Sequence, residues 1–358
     1  MTVPSAPPAL DSDAVTWPDA ARRTAFEGWL AGLGDEALDP RSVRLASADA
    51  SFRRYLRVHG ARGTRIVMDA PPALEDCAPF VAIAAALGAA GLHGPDVLAW
   101  NQVDGFLLLT DLGTRPYLAA LQAAQRDGDT ALVERLMRDA VTALVQWQAR
   151  IDARGLPPYD EALLRRELAL FPEWCVRREY GIDWSAAQQA VWDAACDALV
   201  ASALAQPVLA VHRDYMPRNL MLAEPNPGIL DFQDAVRGPI SYDPACLLRD
   251  AFISWDEAQE IDWAVRYWQQ ARAAGLPVDA DFGAFWRQLE WMGLQRHLKV
   301  LGIFCRLKHR DGKPRYAEDL PRFFGYAARV CDRYRGLAAL GRLLDAVAGT
   351  ERRVGYTF

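Results

Sequence analysis

The spacing of apolar residues changes character twice along this chain. After a proline-rich leader, the pattern predicts a helix around Arg22–Leu33 and then short runs that alternate like strands: Val43–Ala46, Phe52–Val58, Arg65–Met68, Val97–Trp100 and Phe106–Thr110. A helical stretch, Cys77–Ala90, interrupts them, so the first part reads as a small sheet with one helix against it. Beyond Asp111 the spacing becomes helical, with Val133, Leu136, Met137, Ala140, Val141, Leu144 and Val145 on one face of a long helix. "EALLRRELALFPEWCVRREY", "SAAQQAVWDAACDALVASALA" and most of Asp256 to Leu344 continue the helical series. One non-helical island, Pro207 to about Tyr242, breaks the second part, which is therefore expected to be a helical body carrying a small β insert.

Composition narrows the class. The 358 residues, 51% apolar and 24% charged, suffice for a large core and two domains. The beginning of the chain has no basic head with a continuous apolar stretch, and no later window approaches a membrane span, so neither a secretory signal nor a membrane partner is expected. The six cysteines form no C-x-x-C pair, which argues against zinc and disulfides and for reduced, buried thiols in a cytoplasmic protein. A net charge of -6 speaks against nucleic acid. Lysine occurs only at Lys299, Lys308 and Lys313, so any cationic role earlier in the chain falls to arginine.

The chemistry concentrates in the island, in "VHRDYMPRNLML" from Val211 to Leu222 and "GILDF" from Gly228 to Phe232. If "NLML" and "GILDF" form an antiparallel hairpin about Pro225, Asn219 falls opposite Asp231, and an amide and a carboxylate oxygen on one face make a reasonable start for a magnesium site. Asp214, on the preceding loop, is placed to orient an incoming hydroxyl and accept its proton. His212 is expected to anchor the loop through backbone hydrogen bonds. Arg213 has two open roles, neutralising phosphate or pairing with a nearby carboxylate. An H-x-D pair alone carries little weight; H-x-D-x-x-x-x-N followed twelve residues later by a strand-borne aspartate is far more specific.

These residues, with the sheet region before and the helices after, resemble the protein-kinase-like small-molecule phosphotransferases, the superfamily of aminoglycoside and choline kinases. "ILDFQDAVRGPISYDPACLLRDAFISW", "SADASFRRYLRV" and "MDAPP" bring the resemblance closest to the bacterial anomeric amino-sugar kinases, which phosphorylate N-acetylmuramate and N-acetylglucosamine at C1 during peptidoglycan recycling. The resemblance implies an α+β, two-lobed fold: an N-terminal nucleotide-binding lobe over residues 1–110, an antiparallel sheet with one helix, and a helical C-terminal lobe over 111–358. It implies ATP and Mg²⁺, with Asp214 catalytic and Asn219 and Asp231 holding the metal. Asp243 would brace the catalytic loop, although it also suits a helix N-cap. Backbone groups around Thr110 and Leu112 would meet adenine, and the loop from Ala48 to Arg53, including Ser51 and Phe52, would cover the phosphates.

Two departures stand out. The covering loop has no glycine, and "RIVMDAPP" has Met68 where the superfamily usually has a lysine that touches the nucleotide. Either the site is disabled or another cation serves; Arg53 and Arg54 are the candidates, with Glu75 or Asp76 to fix one of them. Sugar contacts are expected first from Gln233 and Asp234, beside Asp214, with Arg249, Asp250, Trp255, Trp291, Arg296 and His297 as further candidates. The leading expectation is an ATP-dependent amino-sugar kinase acting on small molecules, with a monomer left open. The alternatives are an aminoglycoside- or choline-type phosphotransferase and a catalytically silent nucleotide-binding relative.

Overall fold

The computed structural model describes residues 15–48 and 52–349. They divide into two compact units. One holds the described residues as far as Thr114 together with Ala223–Gln233; the other holds Arg115–Leu222 and the described residues from Asp234 onward.

The first unit is built on a five-stranded antiparallel sheet ordered β1 (Asp39–Ala48), β2 (Arg54–Gly60), β3 (Gly63–Asp69), β5 (Phe106–Thr110), β4 (Val97–Asn101). Register places Leu56, Val67 and Leu108 in line across three strands, and these residues join Phe26 and Leu30 of α1 (Ala20–Gly32) in one core. Asp19 caps α1 by accepting from the Arg22 N–H at 2.7 Å. Thus α1 covers the sheet in addition to α2 (Ala78–Ala89), the helix expected from the Cys77–Ala90 stretch. Gly105 closes the β4–β5 hairpin at φ +71, and a Cβ there would lie 2.0 Å from the Ala70 carbonyl oxygen; only glycine lets the turn meet the chain leaving β3. In the second segment of this unit the Ile229 N–H donates to the His93 carbonyl at 2.7 Å, and Phe232 packs on Phe80 of α2 at 4.8 Å between ring centroids.

The second unit is helical: α3 (Tyr117–Asp127), α4 (Thr130–Arg150), α5 (Glu161–Leu168), a π-helical stretch (Phe171–Glu179), α6 (Ala186–Leu204), α7 (Tyr242–Leu248), α8 (Glu257–Ala273), α9 (Phe282–His309), α10 (Leu320–Arg333) and α11 (Ala338–Ala348). The apolar face of α4 is buried as its spacing predicts. The core gathers on α9, whose Gly302 sits so close to the Leu170 backbone that a Cβ would be 2.4 Å from it. Strand Val208–Val211 pairs antiparallel with Val236–Pro239, a segment whose Gly238 and Pro239 hide it from propensity. All six cysteines are buried, and none is in a disulfide. Among the described residues, no helix is long and apolar enough to cross a membrane.

Candidate active site

Strand Val208–Val211 ends where the polar loop begins. His212 is fully buried between Trp147 and Tyr215, with ring centroids at 5.3 and 5.6 Å, and its Nδ1 accepts from the Asp214 N–H at 3.3 Å. The ring thus serves the backbone, as expected of an anchor. The loop is held from beneath by Asp243, fully buried in the first turn of α7, which accepts from the His212 N–H at 2.7 Å and the Arg213 N–H at 3.0 Å. Ser241 occupies the N-cap position of α7, so Asp243 is a brace and not the cap. Burial, aided by the neighbouring Asp214 charge, pushes the Asp243 carboxyl up to about 7 against the pull of its two N–H donors.

Held in this way, Arg213 adopts φ +74, a left-handed conformation rare for a side chain of its size. Its Nη2 donates to Glu167 at 2.8 Å, so the pairing role is the one realised. Asp214 comes next, half-buried at the mouth of the loop. Asn219 turns back and donates its Nδ2 to the Asp214 carbonyl at 2.9 Å, which fixes which end of the amide is nitrogen. The structure therefore brings Asp214 and Asn219 together on one braced loop, pinned further by Tyr215, whose hydroxyl donates to the Ala140 carbonyl at 2.8 Å.

Asp231 belongs to the first unit. It too has a left-handed backbone, φ +61, and its Oδ1 accepts from Gln233 Nε2 at 2.8 Å. Gln233, expected at the sugar, thus spends an amide N–H on Asp231, and Asp234 is exposed. Non-glycine residues at positive φ are enriched at functional sites; Arg213 directly precedes Asp214, and Asp231 is itself one of the expected metal ligands. Asn219 in the second unit and Asp231 in the first each carry an oxygen of the hard kind that suits Mg²⁺.

The two candidate cations separate clearly. Arg53 lies 3.8 Å from Glu75, and Glu75 also accepts from the Phe52 N–H at 3.3 Å, so the carboxylate expected to fix an arginine meets two adjacent residues. Arg54 instead opposes Asp69 in the sheet register and donates Nε to its Oδ2 at 2.7 Å, while Arg22 of α1 donates to the other oxygen. Met68 is fully buried and contributes packing. Ser51 and the Asp49–Ser51 turn lie outside the described residues. Thr110 exchanges backbone and hydroxyl hydrogen bonds with Asp96. Among the described residues nothing bonds to the Leu112 N–H or carbonyl, the pair expected to face adenine. Between them Asp111 is gripped by Arg57 at 2.6 and 3.0 Å, which holds its carboxyl below the usual range although burial works the other way.

Of the further sugar candidates, Arg249 is committed to Glu260 and Glu290, both at 2.9 Å, and Asp250 accepts from the Phe252 and Ile253 N–H groups. Sequence reasoning missed Glu167, a single glutamate in a helical stretch, and Asp69, whose burial between two arginines depends on a helix far away in the chain.

The pattern of the family described as "Phosphotransferase enzyme family" matches residues 42–282. Relatives named N-acetylmuramate/N-acetylglucosamine kinase include one from Pseudomonas putida, 54% identical over 87% of this chain and 90% of that protein. Another, from Neisseria meningitidis, is 44% identical over 94% of this chain and 99% of its own length. Among solved structures, a choline/ethanolamine kinase family protein from Mesorhizobium loti superposes with a TM-score of 0.56 at 13% identity, covering 92% of this chain and 100% of that one. The ADP-bound aminoglycoside phosphotransferase APH(2'')-Ib superposes with a TM-score of 0.55 at 14% identity, covering 87% and 99%.

Proposed function

This chain belongs to the phosphotransferase enzyme family and is a phosphotransferase; from that premise we propose that it transfers the γ-phosphoryl group of ATP to the anomeric C1 hydroxyl of N-acetylmuramate and N-acetylglucosamine. The observation that carries the reading is the H-R-D-x-x-x-x-N loop, with Asp214 and Asn219 joined by a hydrogen bond and Asp243 clamping the two preceding N–H groups. The relatives' names support the choice of acceptor.

In this reading Asp214 aligns the C1 hydroxyl and takes its proton as the new O–P bond forms, an easier task than with an ordinary alcohol because an anomeric hydroxyl is more acidic. Asn219 and Asp231 would hold Mg²⁺, which would offset charge on the phosphate oxygens when bound. Gln233 fixes the Asp231 carboxylate, and Asp234 addresses the sugar. Arg53, steadied by Glu75, supplies the positive charge that a lysine supplies elsewhere in the superfamily, Ser51 and Phe52 cover the phosphates, and the backbone of Thr110 and Leu112 receives adenine. The reaction is placed in the cytoplasm, in the reuse of cell-wall amino sugars, with small molecules as the partners.

The test is ATP consumption with N-acetylmuramate, N-acetylglucosamine, glucose, choline and kanamycin, with Asp214→Ala as control. Turnover is expected with the two amino sugars and to fall about 100-fold or more in the variant. Turnover confined to choline or kanamycin would transfer the chain to the other acceptor class. Equal turnover by the variant would remove Asp214 from the chemistry.

A further inference from the structure

One carboxylate in the second unit is shared by two cations. Glu167 Oε1 accepts from Lys299 Nζ at 2.8 Å and from Arg213 Nη2 at 2.8 Å, while Tyr159 donates its hydroxyl to Oε2. Lys299 is itself buried and donates to the Tyr242 hydroxyl at 3.0 Å. The Asp214 charge also acts on both cations, so the two positive charges face two carboxylates. The more exposed of the two cations is Arg213, whose side chain keeps 22% of its surface exposed against 11% for Lys299 and 7% for Glu167. Glu167 provides the only ion pair of Arg213 among the described residues; its Nε is buried, so the exposed part of the guanidinium is its tip.

The position of this guanidinium is fixed from both ends. Glu167 holds its tip, and Asp243 holds its backbone N–H in the left-handed conformation immediately before Asp214. A residue other than glycine is strained in that conformation, and such strain persists where the surroundings over-determine it. A rigid, partly exposed arginine beside the base is placed to receive an anion.

Resting on the function proposed above, we infer that Arg213 reads the acidic substituent of the acceptor, receiving the lactyl carboxylate of N-acetylmuramate while Asp214 addresses its anomeric hydroxyl. The two amino sugars share the pyranose ring and the N-acetyl group. They differ in a 3-O-lactyl ether that ends in a carboxylate, so a single cation beside the base is enough to separate them. Glu167 keeps Arg213 in place for both sugars, and the carboxylate adds its contact only for one.

The test compares kcat/KM for N-acetylmuramate, for its lactyl amide, which keeps the shape and loses the charge, and for N-acetylglucosamine, at saturating ATP and Mg²⁺. The acid is expected to exceed the amide by tenfold or more in the wild type, a preference that Arg213→Gln erases and Arg213→Lys restores in part. Taking the ratio of acid to amide removes any loss that the substitution imposes on both through folding. Equal use of acid and amide by the wild type, or an undiminished preference in Arg213→Gln, overturns the assignment. A wild type that uses neither amino sugar removes the underlying function, and this inference with it.

Discussion

At the scale of the residue, Asp243 carries a demand that its burial opposes: one carboxylate must accept two backbone N–H groups without solvent. Protonation turns one of its oxygens into a donor facing an N–H, so the loop beneath Asp214 loosens as the acid form fills. With the carboxyl pushed up to about 7, kcat is expected to decline as pH falls through about 7. The pH profile of kcat for wild type and Asp243→Asn checks this: the variant should be slow throughout and lack that limb, and a limb surviving in the variant would clear Asp243 of it. Stability has the opposite sign. The folded value lies above the ordinary 3.8, so the contribution of this group is fully present below about pH 4 and is lost as pH rises to about 7. The spacing of His212, Asp214 and Asn219 was legible because a whole loop motif is local in sequence. Glu167 was not, since its partners Arg213 and Lys299 come from distant segments and a helical glutamate is ordinarily solvated.

At the scale of the element, β2 begins with two arginines whose fates diverge. Arg54 ties β2 to β3 and shares Asp69 with Arg22 of α1, whereas Arg53 meets Glu75 ahead of α2. Arg53→Ala should raise the KM for ATP about tenfold with little change in that for sugar, by loss of a charge-assisted contact. Arg54→Ala should instead cost about 2 kcal/mol in denaturant unfolding, since it leaves the buried Asp69 with one partner fewer. Steady-state kinetics and a urea curve on each variant would show the split, and an Arg53→Ala enzyme with unchanged ATP kinetics would end the substitution of arginine for lysine. The strands themselves followed from alternation to within a few residues, because one sheet face packs on α1. Val236–Pro239 escaped because glycine and proline mask a strand whose existence depends on its partner, Val208–Val211.

At the scale of the whole molecule, the change from strand to helix periodicity marked out the sheet and the helical body, since each element's apolar face is written in its own sequence. That Ala223–Gln233 groups with the N-terminal sheet has no local signature; it rests on contacts such as Ile229 with His93 and Phe232 with Phe80. In the proposed reaction a phosphoryl group arrives on the anomeric oxygen of an amino sugar while Asp214 handles the proton. The most direct measurement is a phosphorus-to-proton correlation NMR spectrum of the product formed from N-acetylmuramate and ATP by the wild type and by Asp214→Ala. The account predicts that the phosphorus couples to the anomeric proton in the wild-type product and that the variant forms almost none. A phosphorus coupled to the C6 protons, or the same C1 product formed at an undiminished rate by the variant, would contradict it.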